Sequence, residues 1–594
     1  MFRRAANTLR PHVRSLHAHT SGAARAATLG NRRAVTAASI LLGGSALWYT
    51  SRQYVHNDAI QIVEAGDRLK PKPAPLDKPK DPDALYSIVW GSNSQGTISP
   101  DKPSDDPLRT PAVAQWLNGV ALRDLQLHQT HAACIDARGD VYQWGEGFFG
   151  KDGGSHAPKL TLREKNIVQL QLTEHKLCAL SASGKVYVLA TDITKQELPT
   201  GAPTPSSDGW WGTGWFWGED EIVDFAEVHP SEKLARRESF VSIAAGQNHL
   251  LALTSKGRVF AHPINKWANY YGQLGFRKFS IPDPTAHGHI NHQHDAHLHV
   301  ELIPKSLADP FINSSRAPRA VPTAFTSDNL TAVDDKNIRF CSHLFEIPVL
   351  RGVEAAQIAA GSKSSFVRTP TGRVLAWGAN EHGQLGLGSD VVLDVITVPT
   401  EVVLWRLTPH TTKSTCLNVT AGGDLTAFTV ERDTGSGPTS TDVLMSGNGQ
   451  YGGLGNSTYS NSQGAPIRVK AVSGLTQYND RTRALEPIRP EELSISPTGH
   501  VLLALNSAEN TGVGGRDVMV WGKNYESELG NGKKGSLPTP TTLEDPDGQR
   551  LMLMAKKAKE VKDLSGRTWK RGVKVEQRMV AGYENSVVYW KISD

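Results

Sequence analysis

Six histidines fall within thirteen residues: His287, His289, His292, His294, His297 and His299. Imidazoles at this alternating spacing are ligands that zinc and copper accept. A structural metal site holds its ligands on rigid elements, whereas this run reads as a flexible insertion loop, so no metal and no cofactor is favoured. Trp210, Trp211, Trp215, Phe216 and Trp217 place five large aromatics in the ten residues from Gly209 to Gly218. Two readings stay open: a loop folded back with its rings in the core, or an exposed hook that meets a partner or a bilayer interface, where tryptophan dominates contact energy. Cys134 and Cys178 each follow a histidine by three residues, His131 and His175. The same offset from His249 falls on Ala252, so both thiols are expected at a small buried strand position and not as ligands. The four cysteines form no C-x-x-C pair, which excludes a disulfide scaffold and a thiolate zinc site. No nucleophile elbow, Walker loop, HExxH or dinucleotide fingerprint stands in a supporting context, so no enzyme is nominated. A hidden activity would have to sit in the 262–350 stretch.

The elements that must position these side chains repeat along the chain. The clearest copy runs from Val241 through Gly246, His249, Leu253 and Gly257 to Phe260, with Tyr271-Gly-Gln-Leu-Gly275 after it. A second runs Ile358-Ala-Ala-Gly361, then Thr371 to Trp377-Gly378, Asn380 and Gly383-Gln-Leu-Gly386. Weaker copies end at Trp144-Gly145, Tyr187, Ser446-Gly447 and Trp521-Gly522. Short apolar strands separated by glycine turns signal small antiparallel sheets, none of which can bury both faces alone. Radial stacking solves that problem, with strand aromatics filling the wedges between sheets. At the ends, Leu85 to Asn93 is a Trp-Gly strand with no strand pair before it, and Met579 to Trp590 is a strand pair with nothing after it. Joined, they make one blade from both termini, and the count comes to seven blades in an all-β propeller over residues 84–594, with insertions at about 191–235 and 262–350.

Charge is unevenly spread. Residues 1–57 carry eight arginines and no acid, leaving 56 basic against 59 acidic residues beyond them, a balance of −3. A slightly acidic body argues against nucleic acid as a partner. The basic, acid-free stretch 1–33 fits a mitochondrial presequence. Residues 34–51 are uncharged between Arg33 and Arg52 and long enough for a single membrane span, or else belong to a removed presequence. The arginine excess on the N-terminal side would leave that end in the matrix and the body in the intermembrane space of the inner membrane. Residues 52–83, rich in proline and lysine, read as a semi-rigid spacer.

The string Ala-Ala-Gly…His…Ala-Leu…Gly…Val…Trp-Gly…Asn…Gly-Gln-Leu-Gly, clearest at 241–275 and 358–386, resembles the seven-bladed propellers of the regulator of chromosome condensation repeat family. With presequence and anchor added, the chain resembles fungal mitochondrial inner-membrane members of that family, implicated in assembly of the cytochrome bc1 complex. The resemblance implies a membrane-anchored scaffold that helps assemble respiratory complex III by binding an inner-membrane complex or an assembly factor. The alternative it implies is guanine nucleotide exchange on a small GTPase, as the family's namesake performs; no exchange residues carry over, because the repeat motif does not align them. The Trp210–Trp217 cluster is the expected partner-binding surface.

Overall fold

In the computed structural model the described residues are 83–101, 103–151, 157–198, 223–282, 297–307, 334–406, 408–435, 437–479, 482–507 and 515–593. The presequence and anchor readings, and all of the spacer but Asp83, fall outside them. Among the described residues no helix is long and apolar enough to cross a membrane.

Alternating apolar positions become four-stranded antiparallel sheets in which neighbours in sequence are neighbours in space. Asp124–Leu127, Ala132–Ile135, Val141–Trp144 and Lys159–Leu162 form one such sheet. Three more are built alike, beginning at Gln357–Ala360, Lys413–Gly422 and Pro490–Ile495. The fifth unites the ends of the chain: Ser87–Asn93 lies between Ser104–Ala114 and the last strand, Asn585–Ile592, in the register Ile88↔Val588 to Gly91↔Asn585. The expected closing strand pair is therefore present.

The blade count differs from seven separate sheets. Among the described residues two hairpins stand apart, Lys278–Pro282 with His297–Glu301 and Thr476–Asn479 with Ala484–Pro487; five blades stand as sheets of four or five strands, and the remaining strands form one eight-stranded sheet. Its halves, 167–230 and 240–346, meet where Phe225–Pro230 and His343–Glu346 run parallel through His229↔His343 and Pro230↔Leu344. Those two strands lie inside the stretches expected as insertions. Each also completes its own half, pairing with Val186–Ala190 and Val259–Pro263 respectively. Phe225-Ala-Glu-Val-His-Pro230 shows no two-residue alternation, since its buried residues, Phe225 and Val228, stand three apart, and this hides the strand.

Cores lie between sheets. Leu251, Val259 and Ala261 of one half-sheet pack with Ile358, Val367 and Trp377 of the next sheet, and Leu425, Val443 and Met445 pack with Val501, Leu503 and Trp521. Four blades are also tied to the one before them by a tryptophan. The indole N–H of Trp377 donates to the carbonyl of Gln273 (2.9 Å), Trp521 to Gly453 (2.8 Å), Trp90 to Glu528 (2.7 Å) and Trp144 to Thr97 (2.9 Å). The acceptors occupy one position, the residue after the first glycine of Gly-Gln-Leu-Gly or its equivalent (Ser527 and Gly96 stand for that glycine in two copies). The two halves of the repeat motif are thus a donor and an acceptor from adjacent blades. After Trp377, Gly378 has φ +109°, and a Cβ there would fall 2.5 Å from the Lys363 carbonyl oxygen, so this position admits glycine alone.

All four cysteines are free and buried, as expected for Cys134 and Cys178. The register of one differs. Lys176 pairs with Ala190 as His249 pairs with Pro263 and His500 with Gly522. Lys176, not His175, therefore fills the buried histidine position, and Cys178 corresponds to Leu251 instead of Ala252.

Gly246 packs flat on His249: a Cβ would lie 2.4 Å from the ring's Cε1 and 2.5 Å from the Gly361 carbonyl oxygen. Gly246→Ala is expected to lower stability by about 1–3 kcal/mol, since the backbone of the next blade cannot retreat. A urea midpoint equal to that of the unsubstituted protein would show the contact to be soft.

Candidate functional site

The first strands of all the repeats point their ends at one cavity of about 400 Å³, with Leu127, Leu172, Gly246, Gly361, Gly423, Ile495 and Ala581 each bringing one repeat to its wall. Polar side chains zip these strands together. Gln169 both accepts from the Ile243 amide (3.0 Å) and donates to its carbonyl (2.8 Å). Gln171 accepts from Ala245 N–H (2.9 Å), Asp124 from Leu170 N–H (2.8 Å), and Ser494 from Ala581 N–H (3.0 Å). Inner-strand backbone groups with no strand neighbour on that side are satisfied in this way.

Charges in the wall are mixed. Burial raises the carboxyls of Asp124 and Glu492 above their usual range, while Lys591 and Arg578 respectively work against that shift. Arg578 Nη1 stands 3.6 Å from Glu492 Oε2. At the mouth His128 stacks on His131 with ring centroids 4.5 Å apart, and Tyr583 Oη meets His128 Nε2 at 3.2 Å. Burial holds His128 down at about 4 and His131 well below its ordinary value. Imidazoles kept neutral by desolvation are structural here; a general base needs a pKa near the working pH.

In an antiparallel four-stranded sheet the hairpin from first to second strand and the connection from third to fourth leave at the same end. The cavity mouth and the third-to-fourth connections therefore share one end of the ring. Exposed aromatics gather in these connections. Trp267 and Tyr270 pack edge-on, as do Tyr270 and Tyr271. Lys305 lies 4.2 Å over the Tyr271 ring while its Nζ pairs with Glu381 at 2.6 Å. Tyr525, half exposed, packs on Tyr451. A second cavity of about 390 Å³ shares Thr173, Glu174 and Gln247 with the first and is bounded by Trp267.

By chain order the sequence-predicted site residues fall within third-to-fourth connections. Trp210, Trp211, Trp215, Phe216 and Trp217 fall between Val186–Ala190 and Phe225–Pro230, and the histidine run falls between Val259–Pro263 and His343–Glu346. The aromatic cluster, His287, His289, His292 and His294 lie outside the described residues. His297 and His299 sit on the strand His297–Glu301, where His299 Nδ1 meets Ser280 Oγ at 2.8 Å.

The roots of the two long connections are clamped to each other. Arg339 donates through Nη1 and Nη2 to both oxygens of Asp224 (2.7 and 2.6 Å), a bidentate pair of the strong kind. Sequence reasoning missed this pair, because 115 residues separate its partners and no local pattern marks it. It also missed Lys176, whose buried Nζ donates to the Ile264 carbonyl (2.6 Å) and lies over the Phe340 ring. Burial pulls that amine down to about 8.

The family description "Regulator of chromosome condensation (RCC1) repeat" matches residues 371–429 and, in a second form, 355–384. The chain carries RCC1 repeats. It is 28% identical over 249 residues to "Protein FMP25, mitochondrial" of Saccharomyces cerevisiae, a match over 41% of this chain and 37% of that protein. It is 24% identical over 314 residues to "RCC1 domain-containing protein RUG3, mitochondrial" of Arabidopsis thaliana, over 53% and 54% of the two chains. Among solved structures, yeast RCC1 (Prp20) bound to Kap60 superposes with a TM-score of 0.51 at 15% identity, covering 86% of this chain and 89% of that one. The all-β propeller is the fold these likenesses share. In this chain the Trp-Gly and Gly-Gln-Leu-Gly elements, or their equivalents, are the inter-blade donor and acceptor described above.

Proposed function

We propose that this RCC1-repeat chain is a non-enzymatic propeller scaffold that binds a protein partner at the cavity-bearing end of its ring and assists assembly of respiratory complex III. We read the ring as seven-bladed, with the eight-stranded sheet supplying two blades. The observation that carries the proposal is the Arg339–Asp224 clamp. It joins the described roots of both long connections, and Trp267, Tyr270 and Tyr525 are exposed in third-to-fourth connections. Aromatics at a rim of mixed charge suit recognition of a protein surface.

Two mitochondrial relatives and the arginine-rich, acid-free N-terminus support a mitochondrial location. An anchor at 34–51 would tether the body to the inner membrane on its intermembrane-space side, within reach of an inner-membrane complex or assembly factor.

The test is capture of partners by the full chain in mitochondria, with Trp210, Trp211, Trp215 and Trp217 each changed to Ala in a second strain. The expected result is loss of capture at an unchanged melting temperature, with complex III lowered and translation of its subunits intact. Complex III that assembles normally without the protein would overturn the assembly role. Accelerated nucleotide release from a small GTPase would replace the scaffold with the exchange reading.

A further inference from the structure

Between the sheets that begin at Gln357–Ala360 and Lys413–Gly422, at the edge of the ring away from the central cavity, three guanidiniums line one pocket of about 150 Å³: Arg406, Arg432 and Arg468. Among the described residues a single carboxylate, Asp442, lines it with them. Arg468 Nε donates to Asp442 Oδ1 at 2.8 Å, and Arg432 Nε reaches Oδ2 at 3.4 Å. Arg432 is the buried member, its side chain only 8% exposed. It donates to the Leu404 carbonyl at 2.8 Å and to the Ser414 hydroxyl. Arg406 contributes from the rim, where its nearest acid is Asp390 at 3.8 Å, a side chain 93% exposed and so a weakly held partner. The remaining wall is apolar, with Leu387, Leu404, Leu444 and Pro466.

We propose that this pocket binds a small oxyanion, a phosphate or carboxylate group carried on a short apolar stem. Arg432 and Arg468 share one buried negative charge and Arg406 has only the exposed Asp390 beside it, and the excess of positive charge is what an anion entering the pocket would neutralise. Burial and the repulsion of Arg468 both press Arg432 below its ordinary value, while Asp442 opposes them. Guanidiniums bind carboxylate and phosphate oxygens through parallel N–H donors, which gives the site its chemistry. Size narrows the ligand further. The volume is below the ~300–1,000 Å³ typical of drug-sized ligands, so the pocket itself holds a single oxyanion with a few carbons.

Thermal stability and calorimetric titration of the full chain test the assignment, because a ligand of the folded state raises the melting temperature with its concentration. The probes are inorganic phosphate, acetate and butyrate, each against chloride at equal ionic strength. Saturable stabilisation beyond chloride is expected. Phosphate acting alone identifies a free ion, while butyrate binding more tightly than acetate identifies a stem-borne carboxylate such as an acidic side chain. Arg406→Gln removes a rim donor that no wall element depends on and should weaken binding about tenfold. Asp442→Asn should tighten it. Wild-type protein that responds to all three anions as it does to chloride, or Arg406→Gln that binds as wild type does, would overturn the proposal.

Discussion

Removal of the last strand, Asn585–Ile592, is expected to leave no folded monomer. That strand has a partner on each side, Ser87–Asn93 through four residue pairs and Thr568–Ala581 through seven. Without it two sheet edges are bared at once, and the ring loses the joint between its ends. Val587, Val588, Tyr589 and Trp590 are all buried. Burying each is worth roughly 1.5–3 kcal/mol, so together they contribute on the order of 6–12 kcal/mol. That equals the whole stability of an ordinary domain, about 5–15 kcal/mol. Three polar ties go with them: Trp590 Nε1 to the Tyr86 carbonyl (3.0 Å), Asn585 Nδ2 to Ser92 (3.0 Å) and Ser586 Oγ to Glu528 (3.0 Å). Size-exclusion chromatography and near-ultraviolet circular dichroism of the truncated chain check this. A soluble truncated monomer melting within a few degrees of the full protein would mean that the ring does not depend on joining its ends.

This joint was legible in the sequence because each terminus carries half of a repeat, and half a repeat is conspicuous when whole ones surround it. The same holds wherever a tryptophan meets its acceptor loop in the preceding blade. The indole is absent from three copies, the clear one at 241–275 among them. Leu189 and His262 occupy the corresponding strand position in the fused sheet, and Ser446 holds it in the sheet beginning at Lys413. Ser446 keeps a weaker version of the tie, donating from Oγ to the Gln384 carbonyl at 3.4 Å. The fused sheet is also where sequence reading slipped by a residue. His175 precedes Lys176, and a histidine seems to answer the motif, yet the ladder places the lysine inside. The aliphatic stem of a lysine fills the histidine's space, and its ammonium finds a carbonyl at the far end. Pairings such as Arg339 with Asp224 or Arg432 with Asp442 depend on which blades become neighbours and on how long connections return, and neither follows from periodicity.

Lowering the pH from 7 to 5 should destabilise the ring, and replacing two histidines should remove a large part of that sensitivity. His249 and His500 are fully buried at equivalent strand positions, paired with Pro263 and Gly522 respectively. Each sits in a relay between blades. The Ser365 hydroxyl donates to the Gln273 carbonyl at 2.8 Å, so its oxygen accepts from His249 Nε2–H at 2.9 Å. Ser586 likewise donates to Glu528 at 3.0 Å and accepts from His500 Nε2–H at 3.1 Å. The proton is thereby placed on Nε2, and Nδ1 of each ring finds no partner among the described residues. Protonating Nδ1 would bury a charged N–H with no acceptor, and burial accordingly lowers both groups from 6.5 to about 3. The folded state refuses a proton that the unfolded chain takes up near 6.5, so stability is full above that pH and falls as pH drops from 6.5 toward 3. At pH 5 each histidine subtracts about 2 kcal/mol. The raised carboxyls of Asp124, Glu492 and Glu528 act in the opposite sense, gaining stability as they take up protons. A comparison of variants isolates the histidines from these groups. His249→Gln with His500→Gln keeps a donor for each serine and is expected to lose some stability at pH 7, while losing about 4 kcal/mol less than wild type between pH 7 and 5. Denaturant unfolding of both proteins at the two pH values measures the difference. Equal pH dependence in the two would show that these histidines take up protons in the folded ring, and that the relay does not hold them neutral.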